Sequence, residues 1–202
     1  LKIVAVDRRR GRTLERTRIA SRVAAVELVV LVALAGGAAA FAEPWFWVPG
    51  VVALPLFATE GWFEVRSRGR RLVPELAGAL GICLVAAMIV LAEGGGTLLA
   101  AGAWIVLAAR VTTSIPHVRA QIARLHQRPP QARAAAAGDI AALGFAAVAV
   151  SLDRDLCAGG LAVLLIIAAQ RALSTRPVPR PVTIGLRQMA MGFGVVIVTA
   201  AG

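Results

Sequence analysis

The chain reads as an all-α membrane protein, a polytopic transmembrane helical bundle of about seven helices forming one domain over residues 1–202. Three observations predict this. The composition is 58% hydrophobic and 16% charged, and the apolar residues fall in long runs instead of alternating with polar ones. Several of these runs reach the roughly 20 residues needed to cross a hydrocarbon core. The arginines gather in alternate connections between the runs, as the positive-inside rule requires of cytoplasmic loops.

The elements follow in order. Lys2, Arg8, Arg9, Arg10, Arg12, Arg16, Arg18 and Arg22 place the opening of this fragment in the cytoplasm. The first apolar run covers about 23–42, is interrupted by Glu27, and ends at Glu43 and Pro44 with Trp45 and Trp47 as interfacial aromatics. A second run, about 45–63, carries Pro49 and Pro55 as kink points and closes at Glu60, Trp62 and Glu64. Arg66, Arg68, Arg70 and Arg71 then mark a cytoplasmic loop. The third run, about 74–92, opens on Pro74, a residue suited to a first helical turn. Glu93 and three glycines make the outer turn before the fourth run, about 97–114. A fifth run, about 134–152, holds Gly138 and Asp139 near its cytoplasmic end. Asp153, Arg154 and Asp155 form the next outer turn. The sixth run, about 156–173, is closed by Arg171, Arg176 and Arg180, and proline spacing makes 176–181 an extended linker. The last run, about 182–201, contains Arg187.

A net charge of +11 in a soluble protein points to nucleic acid. Here the arginines sit in the loops of a membrane protein, so the partner they imply is membrane lipid, with anionic headgroups facing the basic loops, and not nucleic acid. Cys83 lies inside an apolar run and Cys157 at the start of another, which makes neither a disulfide framework nor a metal-ligand spacing. The opening Leu1 and the absence of a signal peptide lead us to expect a fragment whose upstream part is missing. The preference for arginine over lysine and the abundance of alanine point to a GC-rich bacterial source, hence a multi-pass protein of a bacterial plasma membrane.

Between the fourth and fifth runs, residues 109–126 read ARVTTSIPHVRAQIARLH. Val118, Ile122 and Leu125 recur at helical spacing and leave His117, Arg124 and Arg128 on other faces, so the expectation is a short amphipathic helix at the membrane surface. Arg110, Thr113, Ser114, His117, Arg119 and Arg124 are the candidate anion-binding residues, together with Asp7 and Arg12 in the opening segment.

Charged groups at membrane depth cost at least a few kcal/mol, about 2.5–3.5 on insertion scales, and need a partner or a wet cavity. The candidates are Glu27, Glu60, Asp139 and Arg187, all placed toward the cytoplasmic leaflet. One reading makes them, with Thr112, Thr113, Ser114 and His117, a cytoplasm-facing vestibule. The other makes them snorkelling groups and structural ion pairs, such as Asp139 with Arg187. No catalytic set stands out. His117 and His126 have no ligand partners at metal spacing, and Ser114 near His117 is too common a spacing to define a nucleophile. No phosphate-binding loop or dinucleotide fingerprint is present, and the sequence implies neither a metal nor a cofactor.

Three segments carry a resemblance. LKIVAVDRRRGRTLERTRIA, ARVTTSIPHVRAQIARLH and PVTIGLRQMAMGF resemble the YwiC-like family of bacterial integral membrane proteins. In that family the chain begins with two further helices and a Pro-x-Glu-His-Gly segment, which implies a longer full chain. Two helices added to seven make nine, the number in UbiA-type prenyltransferases. On that comparison Asp7 to Arg18 and the 110–128 stretch occupy the two loops where such enzymes carry aspartate pairs for magnesium diphosphate. This chain has His117 and Gln121 where the second acidic pair belongs, which weighs against catalysis. The leading expectation is a YwiC-like membrane protein binding an anionic lipid headgroup, a polyprenyl phosphate or a small anion in a basic, cytoplasm-facing pocket. The alternatives are a divergent prenyl or lipid-phosphate transferase and a transporter of a small solute.

Overall fold

The computed structural model describes residues 11, 15–66, 68–69, 71–129 and 131–202, apart from the side chain of Arg16. Asp7 and Arg12 lie outside them. Among the described residues the chain forms seven α-helices: α1 (Glu15–Phe41), α2 (Val48–Val65), α3 (Leu72–Ala92), α4 (Thr97–Leu125), α5 (Ala132–Leu152), α6 (Cys157–Ser174) and α7 (Pro181–Ala201). A single 3₁₀ turn, Arg154–Leu156, joins α5 to α6. Six of the seven are long and apolar enough to cross a membrane. The exception is α2, whose 18 residues include two prolines and two glutamates. The protein is a multi-pass helical membrane bundle with the expected helices in the expected order.

One of those helices is longer than expected. The fourth run does not stop at 114 to be followed by a separate surface helix. It continues as one 29-residue helix with Pro116 inside it. At ~1.5 Å per residue α4 is about 43 Å long, so it spans a ~30 Å core and projects beyond it.

The helices pack through small residues, as expected where lipid already solvates apolar side chains and close backbone contact supplies the attraction. In the α2–α3 pair Gly50 faces Met88, Phe57 faces Gly81 and the Glu60 carboxylate faces Gly78, the steady register of an antiparallel hairpin. Trp104 of α4 ties on by donating its indole N–H to Leu80 O of α3 (3.1 Å). At the α4–α5 contact Gly138 packs directly on the carbonyl of Thr112 and on the Pro116 ring. That carbonyl is the one Pro116 leaves without its i+4 donor, so the proline and the facing glycine belong to one crossing.

The core runs along α4 and is built from Val106, Ala109, Ala142, Ala146, Val163, Ile166 and Val195, with Leu156 closing the acidic end. By contrast α1 turns its apolar side chains outward from Val26 to Phe41, as a lipid-facing helix does. The two ends of the bundle differ in charge. Glu43, Glu93, Asp153 and Asp155 lie at the turns of one end, and Arg66, Arg68, Arg71, Arg128, Arg176 and Arg180 at the other.

Candidate functional site

The polar side chains of α4 explain its length. Arg110, Thr113, His117 and Gln121 are spaced three or four residues apart, so they line one face. That face is the buried one: all four are under 9% exposed, whereas Ile122 and Leu125 are 38% and 39% exposed. The amphipathic pattern is therefore real but reversed from the surface-helix expectation. Here the polar stripe turns into the protein and the apolar side chains turn out, the arrangement lipid favours.

A hydrogen-bonded network built on this stripe crosses four helices. The Thr113 hydroxyl, fully buried, shares its single proton between Asp139 Oδ1 of α5 (2.5 Å) and Gln170 Oε1 of α6 (3.0 Å). Asp139 Oδ2 accepts from Arg171 Nε at 2.6 Å, with Arg171 Nη2 also at 2.6 Å. Gln170 Nε2 donates to Gln188 Oε1 of α7 (3.3 Å). The same oxygen and the Gln188 main-chain carbonyl accept from Arg110 Nη2, at 2.7 and 2.9 Å. One turn nearer the basic end, Gln121 Nε2 donates to His117 Nε2 (2.7 Å), which makes that ring nitrogen the acceptor.

Arg110 is the unusual member. It is 6% exposed, and its Nε and Nη1 have no hydrogen-bond partner. Its bonds run to an amide and a main-chain carbonyl, and no carboxylate pairs with it among the described residues. The network thus contains Arg110 and Arg171 against Asp139 alone, one positive charge in excess. An isolated buried charge costs several kcal/mol, which a compensating anion removes.

The other sequence candidates take up different work. Arg119 pairs with Glu75 of α3 at 2.8 Å and fastens α3 to α4. Arg124 donates to the carbonyls of Ser174 (2.5 Å) and Arg176 (3.3 Å), satisfying the open end of α6. Ser114 donates back to Val111 O at 3.3 Å within its own helix. Of the four charges expected at membrane depth, only Asp139 enters the network. Glu60 sits between α2 and α3, while Glu27 and Arg187 are exposed. The pairing of Asp139 with Arg187 is corrected to Asp139 with Arg171, because α6, not α7, lies against this part of α5. Gln170 and Gln188 were missed because uncharged amides carry no hydropathy penalty large enough to stand out in an apolar run. Their signal was depth: each lies within about two turns of the basic end of its helix. Among the described residues no three His, Cys, Asp or Glu side chains come together as metal ligands.

Against this geometry, a comparison with protein-family models matches residues 3–90 to the family described as YwiC-like protein. The chain is YwiC-like over that span. The YwiC-like match takes in α1, α2 and nearly all of α3, and ends before the α4–α7 network begins. It thus covers the first of the three segments that carried the resemblance. No curated protein and no solved structure matches the chain. The likeness to UbiA-type prenyltransferases, drawn from helix number, is not borne out by these comparisons.

Proposed function

We propose that this YwiC-like membrane protein binds an anion, either free or as a lipid headgroup, at Arg110 inside the basic half of its bundle. One observation carries the reading: a guanidinium 6% exposed, with two donor nitrogens unpartnered and, among the described residues, no carboxylate paired with it. A guanidinium in this state is a strong donor to phosphate or carboxylate oxygens, since charge-assisted bonds are about twice as strong as neutral ones. Gln188 holds it and is itself bonded through Gln170 to Thr113, and the Asp139–Arg171 pair closes the network without neutralising it. The positive-inside rule sets the basic end in the cytoplasm, with the protein in a bacterial plasma membrane and membrane lipids as its surroundings and partners.

Titration of the purified protein in neutral phosphatidylcholine nanodiscs with phosphatidylglycerol, and separately with inorganic phosphate, tests this. We expect saturable binding of at least one, weakened about tenfold or more by Arg110→Gln and unchanged by Arg119→Gln. Binding equal in wild type and Arg110→Gln would end the proposal.

A further inference from the structure

An apolar groove of about 430 Å³ opens between α3 and α7 at the acidic end of the bundle, with α4 as its floor. Ile89, Leu99, Ala103, Leu107, Val196 and Thr199 line it, and Asp155 stands at its rim. Its direction relates it to the network. Leu99 and Arg110 are 11 residues apart on α4, as are Gln188 and Thr199 on α7. Eleven residues are close to three full turns, so each pair lies on one helix face about 16 Å apart. The two helices run antiparallel, and Arg110 is bonded to Gln188. The groove walls therefore lead, along matched faces, to the Arg110–Gln188 contact. Leu107 is its innermost α4 residue, a single turn from Arg110. Gly192, between Gln188 and Val196, adds no side chain to that path, and no atom from outside its own helix stands within 4 Å of where its Cβ would be.

Access from the other direction is filled. On the basic side of Arg110 the same face of α4 carries Thr113, His117 and Gln121, all buried and bonded. From the acidic side the groove approaches to within one turn of Arg110, at Leu107.

Resting on the anion reading above, we propose that the ligand is a single-chain lipid with a carboxylate head. Its carboxylate pairs with Arg110, and its hydrocarbon chain lies in the α3–α4–α7 groove pointing to the acidic end. Charge sets the orientation: Arg110 attracts the head at the inner end, and Asp155 repels it from the rim. The reach of about 16 Å matches half of a ~30 Å hydrocarbon core, the span of one leaflet's chains. Depth selects the head. Gln188 is seven residues into α7, about 10 Å inside its basic end. A carboxylate neutralised by one guanidinium can be carried that deep, whereas a larger headgroup would take further polar groups with it into hydrocarbon. A chain leaving lipid for an apolar groove gains little hydrophobic free energy, so recognition depends on the charged end.

The test is photolabelling of the full chain in phosphatidylcholine nanodiscs with hexadecanoate bearing a mid-chain diazirine. Labelled positions are mapped by mass spectrometry, alongside calorimetric titration with butanoate. We expect labels concentrated on 99–107 and 196–202, competed by unlabelled hexadecanoate. Arg110→Gln should reduce them about tenfold or more. Val196→Trp fills the groove from a lipid-exposed position and should displace them while leaving butanoate binding intact. Labels spread over the lipid-facing helices and indifferent to Arg110→Gln, with butanoate still bound through Arg110, overturn the groove and leave the anion site standing. Indifference of both ligands to Arg110→Gln removes both.

Discussion

Two neighbouring threonines make a controlled test of the network. Thr112 and Thr113 are both buried on α4, but Thr112 donates only to Ala109 O of its own helix (3.0 Å), whereas Thr113 serves Asp139 and Gln170 on two other helices. Valine copies the shape of threonine, so each substitution removes a hydroxyl without leaving a cavity. In Thr113→Val, Asp139 Oδ1 and Gln170 Oε1 both lose the donor they share, in a place water does not reach. A stranded buried acceptor costs about 1–3 kcal/mol, more when charged, so the total is about 2–5 kcal/mol. In Thr112→Val the helix keeps its main-chain bonds and the change is about 1 kcal/mol or less. Thermal unfolding of the two variants in the same detergent should show Thr113→Val melting on the order of 5–15 °C lower and Thr112→Val close to wild type. Equal melting of the two would refute the inter-helix network as a source of stability.

Other consequences follow. Arg110→Met should be neutral or stabilising by up to about 4 kcal/mol in urea or SDS titration, because it removes an uncompensated charge, while abolishing anion binding; a clear loss of stability would make Arg110 structural. Gly138→Leu should cost about 3 kcal/mol or more, since a Cβ there has no room against Thr112 O and Pro116. Gly144→Ala, on α5 with nothing within 4 Å of its Cβ position, should stabilise by about 0.5–1 kcal/mol in the same melts. Arg119→Ala should change stability by about 1 kcal/mol or less, because its pair with Glu75 is partly exposed, and should leave phosphate binding unaffected.

Much of this fold is legible in the sequence, because hydrocarbon thickness and the arginine pattern constrain helix length and order almost independently. The third, fifth, sixth and seventh runs begin and end within about two residues of α3, α5, α6 and α7. The stretch around Pro116 was not legible. Proline ordinarily ends a helix, but here Gly138 covers the carbonyl it frees and α4 continues. Nor does periodicity say which face turns inward. It separates Arg110, Thr113, His117 and Gln121 from Ile122 and Leu125, and only the surroundings decide that the first set is buried. Asp139 stands out in sequence by its depth in an apolar run, whereas Arg110, Thr113 and His117 stand out as part of the basic stretch read as a surface helix. The partner of Asp139 does not stand out, because adjacency of α5 to α6 is a property of packing and no local pattern encodes it. Arg119 and Arg124 look equivalent to Arg110 in sequence, but Arg119 pairs with a carboxylate and Arg124 is exposed, whereas Arg110 is buried with two donors unpartnered.

The central claim is that Arg110 is a buried cation whose free donors await an anion. The most direct measurement is the ¹⁵N–¹H resonance of the Arg110 Nε group, assigned with Arg110→Lys, as phosphate and then hexadecanoate are titrated into protein held in neutral nanodiscs. A saturable downfield proton shift at Nε, with Arg119 and Arg124 unmoved, is the predicted result. A resonance that stays in place while other arginines shift would contradict the account.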